Sequence, residues 1–208
     1  MRYGPTYVAP DGEGGTVRGP WVLPGEYEAR LTVGDRVSSR PVVIEPDPLV
    51  SISDEDRRYW HDTQVAVSRL LGTARVAVAN AGMLDTLVGS AEQAVEAHTG
   101  APGAARAEVE RVRAEVDAVT EELSQIASRL RTAYSGMQAS TSVPTDDQID
   151  VSQRGYEQLG EQLDILNRLI ADELPALNSR LDADGVPWSM GRAIVLRPPG
   201  LPSPPRRR

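Results

Sequence analysis

Nine apolar side chains, Val109, Val112, Val116, Val119, Leu123, Ile126, Leu130, Ala133 and Met137, follow one another at alternating steps of three and four residues. That spacing predicts one narrow apolar stripe along a helix of roughly 45 Å, at 1.5 Å per residue. A stripe of that length demands another helix to cover it. The chain therefore announces a long-helix bundle before any other feature is considered.

The flanking segments supply the other helices. Ser53 followed by Asp54, Glu55 and Asp56 is a strong start signal, a capping hydroxyl with three acids at the positive end of the helix dipole. Behind it, Trp60, Val67, Ala74, Ala81, Val88 and Val95 recur every seventh residue, flanked by Leu70, Leu71, Val78, Leu84 and Leu87. Gly72, Gly82 and Gly89 weaken this helix, and a bend or break is expected near Gly82 or Gly89. Residues 100–103, Gly-Ala-Pro-Gly, end it and open the second helix. Thr145 with Gln148 forms a capping box for a third helix. Its apolar face reads Ile149, Tyr156, Leu159, Leu163, Leu166, Ile170, Leu174, Leu177 and Leu181, with a kink expected at Pro175. Gly185 is a stop signal, after which Val186, Pro187 and Trp188 are placed to fold back over the bundle end.

Residues 1–48 are different in kind, with Pro5, Pro10, Pro20, Pro24, Pro41, Pro46, Pro48 and a Gly cluster at 12–15. Tyr27, Ala29, Leu31 and Val33 alternate with polar residues, the period of a half-buried strand. Gly34-Asp35 offers a tight turn into a second strand over 37–44. Two or three strands need a partner sheet or a helix to be stable. The expected fold class is therefore α+β, mainly α: a short antiparallel β segment over 1–48, then an antiparallel three-helix bundle over 49–190. The helices fall at about 54–98, 104–138 and 146–183, and short loops force them to run up, down and up. Residues 191–208, rich in Pro and Arg, read as a disordered tail.

Composition excludes several chemistries. The chain has no Cys, which removes disulfides, thiolate nucleophiles and Cys-bearing metal sites. It has no Lys either, all 22 basic residues being Arg, which rules out a Walker A lysine, a Schiff base and a Ser-Lys dyad. A net charge of −8 disfavours nucleic acid as a partner, the Arg206–Arg208 run apart. No run approaches the ~18 apolar residues of a membrane span, and the first ten residues lack the regions of a signal peptide.

The remaining motifs are weak. His61-Asp62 imitates a metal pair, but His98 is the only other histidine, and a first-turn polar surface is the expected reading. Asp182-Ala-Asp-Gly185 imitates a calcium loop whose terminal Glu is missing, position 193 being Ala. Gly12–Gly15 lacks the Lys and the following helix of a phosphate cradle. Acid pairs such as Glu121-Glu122 and Asp146-Asp147 are neighbours on one helix and cannot face each other across a cleft. No catalytic, cofactor-binding or metal-ligating residue is assigned, and no cofactor. Trp60 and Trp21 are expected to pack together where the strands meet the first helix.

The run Gly19-Pro-Trp-Val-Leu-Pro-Gly-Glu-Tyr-Glu-Ala-Arg-Leu-Thr-Val33, with Pro41-Val-Val-Ile-Glu-Pro-Asp-Pro48 and Leu49, resembles the closing Ig-like strands of large bacterial sortilin-type, BNR-repeat β-propeller proteins, often labelled glycosyl hydrolases. Residues 155–163 and 172–178 are similar to that family's helical ending. The resemblance spans nearly the whole chain but only the tail of the family, without a propeller blade. Met1-Arg2-Tyr3 resembles an internal position, so a truncated frame or split gene is an expectation.

The resemblance implies an Ig-like β segment and a secreted or periplasmic parent, and it implies no activity in this part. The expected function is a non-catalytic structural or interaction module, the accessory part of a larger propeller protein. Its partner would be the missing propeller or Ig-like portion, or a second copy. The interaction residues are expected to be Trp21, Tyr27, Leu31, Val33, Val43, Trp60 and Trp188. A glycosidase-like hydrolase using paired carboxylates and a free-standing helical adaptor that self-associates through the second helix are the alternatives.

Overall fold

The computed structural model describes residues 1–4, 7–8, 16–98, 100, 103–187 and 189–191. Two short strands, β1 (Tyr7–Val8) and β2 (Thr16–Val17), precede a hairpin of β3 (Gly25–Val33) and β4 (Arg36–Ile44). Three helices follow: α1 (Asp54–Ala97), α2 (Gly103–Ala139) and α3 (Asp146–Arg168). The last continues through a π turn, Leu169–Glu173, into α4 (Leu174–Ala183). The protein is thus mainly helical, preceded by a small two-stranded antiparallel sheet that does not close into a barrel.

The heptad residues of α1 and the stripe of α2 face each other. Every one of Trp60, Val67, Ala74, Ala81, Val88 and Val95 is buried, as are all nine residues of the α2 stripe. Cross-helix pairs show the antiparallel sense. Trp60 meets Met137 at one end, and Arg113 reaches Asp85 and Glu92 nearer the other. Likewise Gln148 of α3 lies beside Gly136 of α2, whereas Glu173 pairs with Arg111. Helix α1 is unbroken for 44 residues, so it does not break at Gly82 or Gly89. The packing of the α1 stripe against α2 outweighs the roughly 1 kcal/mol that each internal glycine costs.

The helix ends are capped as their sequences require. Asp56 N–H donates to Ser53 Oγ at 3.1 Å, and both bonds of the Thr145–Gln148 capping box are present. At the far end Gly185 takes φ +73°, Gly185 N–H donates to Asp182 O at 3.2 Å, and Val186 N–H to Leu181 O at 3.0 Å. This is a Schellman close, with buried Val186 against Leu181.

The third helical segment departs from its expected face. Tyr156 and Ile170 are exposed, and Leu169 is buried in place of Ile170. Tyr156 lies upstream, at the edge of a groove between α1 and α3, and the exchange of Leu169 for Ile170 comes from the π turn. From Leu169 a regular 3.6-residue period would turn Glu173, Ala176 and Arg180 inward; one extra residue in the turn replaces them with Leu174, Leu177 and Leu181. The backbone N–H of Leu174 reaches Leu169 O accordingly. Pro175, which lacks a donor, follows immediately, so the disturbance expected there takes the form of this wide turn.

The hairpin is a further correction. Its two-residue Gly34-Asp35 turn, with Gly34 at φ +57°, pairs Val33 with Arg36 and Tyr27 with Val42. Yet among the described residues nothing covers either face beyond the base of the ribbon, where Tyr27, Val42 and Ile44 are half-buried. The alternation that predicts a half-buried strand is real, but the helices pack on one another and leave the ribbon uncovered.

Candidate interaction surfaces

The junction between the N-terminal segment and the helices is built by two tryptophans. The last four carbonyls of any helix lack an intrahelical donor. Trp60 Nε1 donates to Met137 O at 3.0 Å and Trp21 Nε1 to Gln138 O at 3.4 Å, so two of the orphan carbonyls of α2 are satisfied by indoles. Trp60 is buried, and Trp21 is half-buried with the Arg2 guanidinium 3.8 Å above its ring. The two indoles line one shallow hollow together with Ile44 and Pro46. Residues 1–3 pair with 20–22 through Tyr3 N–H to Pro20 O and Val22 N–H to Met1 O. Gly19 is required there, since a Cβ would lie 2.3 Å from the carbonyl oxygens of Tyr3 and Gly4.

Beneath this segment lies a polar stripe that the sequence reading missed. His61, Gln64 and Ser68 share one face of α1 and are all buried. His61 is therefore not part of a first-turn polar surface. Its Nδ1 lies 2.9 Å from Asp62 Oδ1, its ring packs tilted against Tyr3, and its Nε2 is buried without a partner. Neither the oxygen nor the nitrogen of the Gln64 amide is hydrogen-bonded. Opposite them, Tyr134 donates its hydroxyl to Arg18 O at 2.7 Å. Burial pushes its phenol up to about 12, against the opposing effects of Ser68, Arg2 and Gln138. Helical spacing at 61, 64 and 68 could have signalled the stripe. Its polar types read as solvent-facing because the strand segment that covers them is distant in sequence.

The hairpin carries most of the expected interaction residues. Tyr27, Leu31 and Val33 share one face of β3–β4, and Tyr27 donates its hydroxyl to Leu23 O at 2.7 Å. Val43 pairs with Glu26 and so lies on the opposite face. The apolar side chains of residues 17–44 thus form no single patch. Leu31 and Val33 are each 65% exposed and Val43 64%. Trp188 lies outside the described residues.

A third surface lies between α1 and α3, which touch each other far less than either touches α2. A groove of about 900 Å³ separates them, floored by Val67, Leu70, Leu159 and Leu163 and edged by Tyr59 and Tyr156. Sequence periodicity did not reveal it, because the apolar residues of α3 read as one face covered by both other helices.

Carboxylates from different helices converge at the π turn. Arg111 pairs with Glu108, Glu115 and Glu173, and Arg168 pairs with Glu115 and Glu173. Hydrogen bonds from Arg111 hold Glu108 and Glu173 below the usual carboxylate range. A general acid needs the opposite shift. The arrangement ties the π turn to α2. Among the described residues, no group of His, Asp and Glu is placed to hold a metal ion, and no helix is long and apolar enough to cross a membrane.

Compared with known proteins, the chain matches no family model, no curated protein and no solved structure.

Proposed function

We propose that this chain is a non-catalytic interaction module, a helical body that holds out the β3–β4 ribbon for a β-rich partner. The observation that carries this reading is the ribbon itself. It exposes Leu31, Val33, Val37 and Val43, and among the described residues neither outer edge pairs with another strand. A two-stranded ribbon is marginal in water, and an open edge is a template for a further strand.

The partner is an Ig-like or propeller portion of a larger protein, as the resemblance of residues 19–48 implies, or a second copy. Self-association through the α2 stripe is disfavoured, since that stripe is already buried against the other helices.

A photo-crosslinking residue at Leu31, with one at exposed Met83 of α1 as control, tests the proposal in source cells. A single heavier adduct from position 31 alone is expected, and its mass separates a second copy from a larger partner. Equal labelling from both positions, or none from position 31, would refute it.

A further inference from the structure

The β3–β4 ribbon has one edge fit to receive a further strand, and that edge is complementary to itself. We propose that two copies of the chain pair antiparallel along β3, with Ala29 opposite Ala29, into a four-stranded sheet in the order β4-β3-β3-β4. This pairing rests on the ribbon being the interaction site, and it names a second copy as the occupant.

The hairpin register decides which edge is open. A two-residue turn makes the residues that flank it, Val33 and Arg36, a hydrogen-bonded pair, and bonded and non-bonded pairs alternate from there. The odd-numbered residues of β3 therefore spend their N–H and C=O groups on β4, whereas Glu26, Glu28, Arg30 and Thr32 turn theirs outward. Opposite Glu28 stands Pro41, so Pro41 occupies an outward position on β4. It has no N–H, and the outer edge of β4 lacks a donor at that point, which is how proline blocks further pairing. The edge of β3 has no such gap. Among the described residues it meets no other strand, and of its nine residues all but Tyr27 are exposed.

The order of residues along β3 then selects the partner. A register centred on Ala29, the midpoint of Gly25–Val33, leaves no residue of the strand unpaired. It sets outward groups against outward groups, for about eight main-chain hydrogen bonds. Glu28 of each copy falls opposite Arg30 of the other, and on the other face Tyr27 falls opposite Leu31. Within one copy Arg30 already reaches Glu28 at 3.5 Å with both side chains largely exposed, so both charges stand on the same open face. The nearest registers that keep outward groups facing are centred on Glu28 and on Arg30. Each of those puts two like charges opposite each other on the dyad. A register centred between two residues sets an outward residue against an inward one and loses the ladder.

Pairing of this kind is isologous and stops at two copies. Both outer edges of the sheet are then β4, the edge that Pro41 blocks. The apolar faces of the two ribbons also join on one side, giving the four strands with a shared apolar face that a lone hairpin lacks.

Because the chain has no Cys, single cysteines read the register in the full-length protein. The two Ala29 residues form a non-hydrogen-bonded pair across the dyad, with Cα atoms about 4.5 Å apart, within disulfide range. The two Leu31 residues are about 14 Å apart along the strands. Under mild oxidation Ala29→Cys should give a disulfide-linked dimer about ten times faster than Leu31→Cys or Met83→Cys. In sedimentation the parent chain should be a dimer. Glu28→Arg should raise its dissociation constant about ten-fold, by placing like charges together twice, and adding Arg30→Glu should restore it. Equal cross-linking at the three positions, or a dimer unmoved by Glu28→Arg, would overturn the pairing. So would a chain that is monomeric at every soluble concentration. The reading of the ribbon as an interaction site would survive that last result if position 31 still gave a single heavier adduct with another protein in source cells, and would fall with it if position 31 gave none.

Discussion

Trp60 joins the start of α1 to the end of α2, and its two contributions separate by substitution. Its ring is buried, and its indole N–H serves Met137 O. Trp60→Ala should cost about 3–5 kcal/mol of stability, the range for an aromatic removed from a core, whereas Trp60→Phe should cost about 1 kcal/mol beyond the volume change. Urea titrations of both variants measure this. Equal losses would mean that the hydrogen bond carries the whole contribution and the burial of the ring none.

Gln64 predicts the reverse sign, because its amide is fully buried with both polar atoms unbonded. Gln64→Met keeps the volume and removes the desolvation penalty, and should stabilise the fold by roughly 1–3 kcal/mol. A loss of stability would show that the amide has a partner in solution.

Tyr134 gives a pH dependence. Burial raises its phenol to about 12 from an ordinary 10, so the folded state holds that proton more tightly. Its contribution is complete below pH 10 and is lost as pH rises through 12, about 2 kcal/mol in all. Tyr134→Phe should flatten the alkaline limb of the stability curve between those values. Superimposable limbs would sink the assignment.

Among the elements, glycine positions separate close packing from mere tolerance. A Cβ on Gly155 of α3 would lie 2.7 Å from Leu130 Cδ2, where α3 presses on α2, whereas a Cβ on Gly82 meets nothing within 4 Å. Gly155→Ala should therefore destabilise by about 1–3 kcal/mol through overpacking. Gly82→Ala should stabilise by about 0.5–1 kcal/mol through helix propensity alone. Thermal melts of the two variants should shift in opposite directions.

The same elements show what the sequence could convey. The stripes of α1 and α2 were legible because each runs without interruption against a single partner, so a heptad spacing is also a burial pattern. The face of α3 was legible at Leu159, Leu166, Leu177 and Leu181 but not at Tyr156 or Ile170. The π turn inserts one residue into the period after Leu169, and no residue type in Leu169–Glu173 marks such a turn in advance. The hairpin register follows from Gly34-Asp35, but its exposure does not, because alternation reports which side chains share a face and not whether anything lies against that face. The tryptophan junction was visible as a pairing of Trp21 with Trp60. That both serve carbonyls of α2 depends on a contact more than 70 residues away from either.

For the whole molecule, the distribution of burial separates a body from an arm. The core runs through α1, α2, α3 and α4 and takes in Val17 from the N-terminal segment, while β3 and β4 contribute no residue to it. Tyr27, Val42 and Ile44 at the base are the only partly covered positions of the ribbon. Unfolding of the arm should therefore be local and cheap, and unfolding of the body cooperative. Replacing 28–41 by a short Gly/Ser linker, with the base and the Trp21 hollow retained, should leave the melting midpoint of the helices within about 3 °C of the parent chain, the shift expected for less than about 1 kcal/mol. Far-UV circular dichroism followed through the melt gives that midpoint. Hydrogen exchange on the intact chain should agree, with β3 and β4 amides opening at free energies at least about 2 kcal/mol below those of the α1–α2 seam. A large fall in the midpoint would mean that the ribbon braces the bundle, and the division into body and arm would not stand.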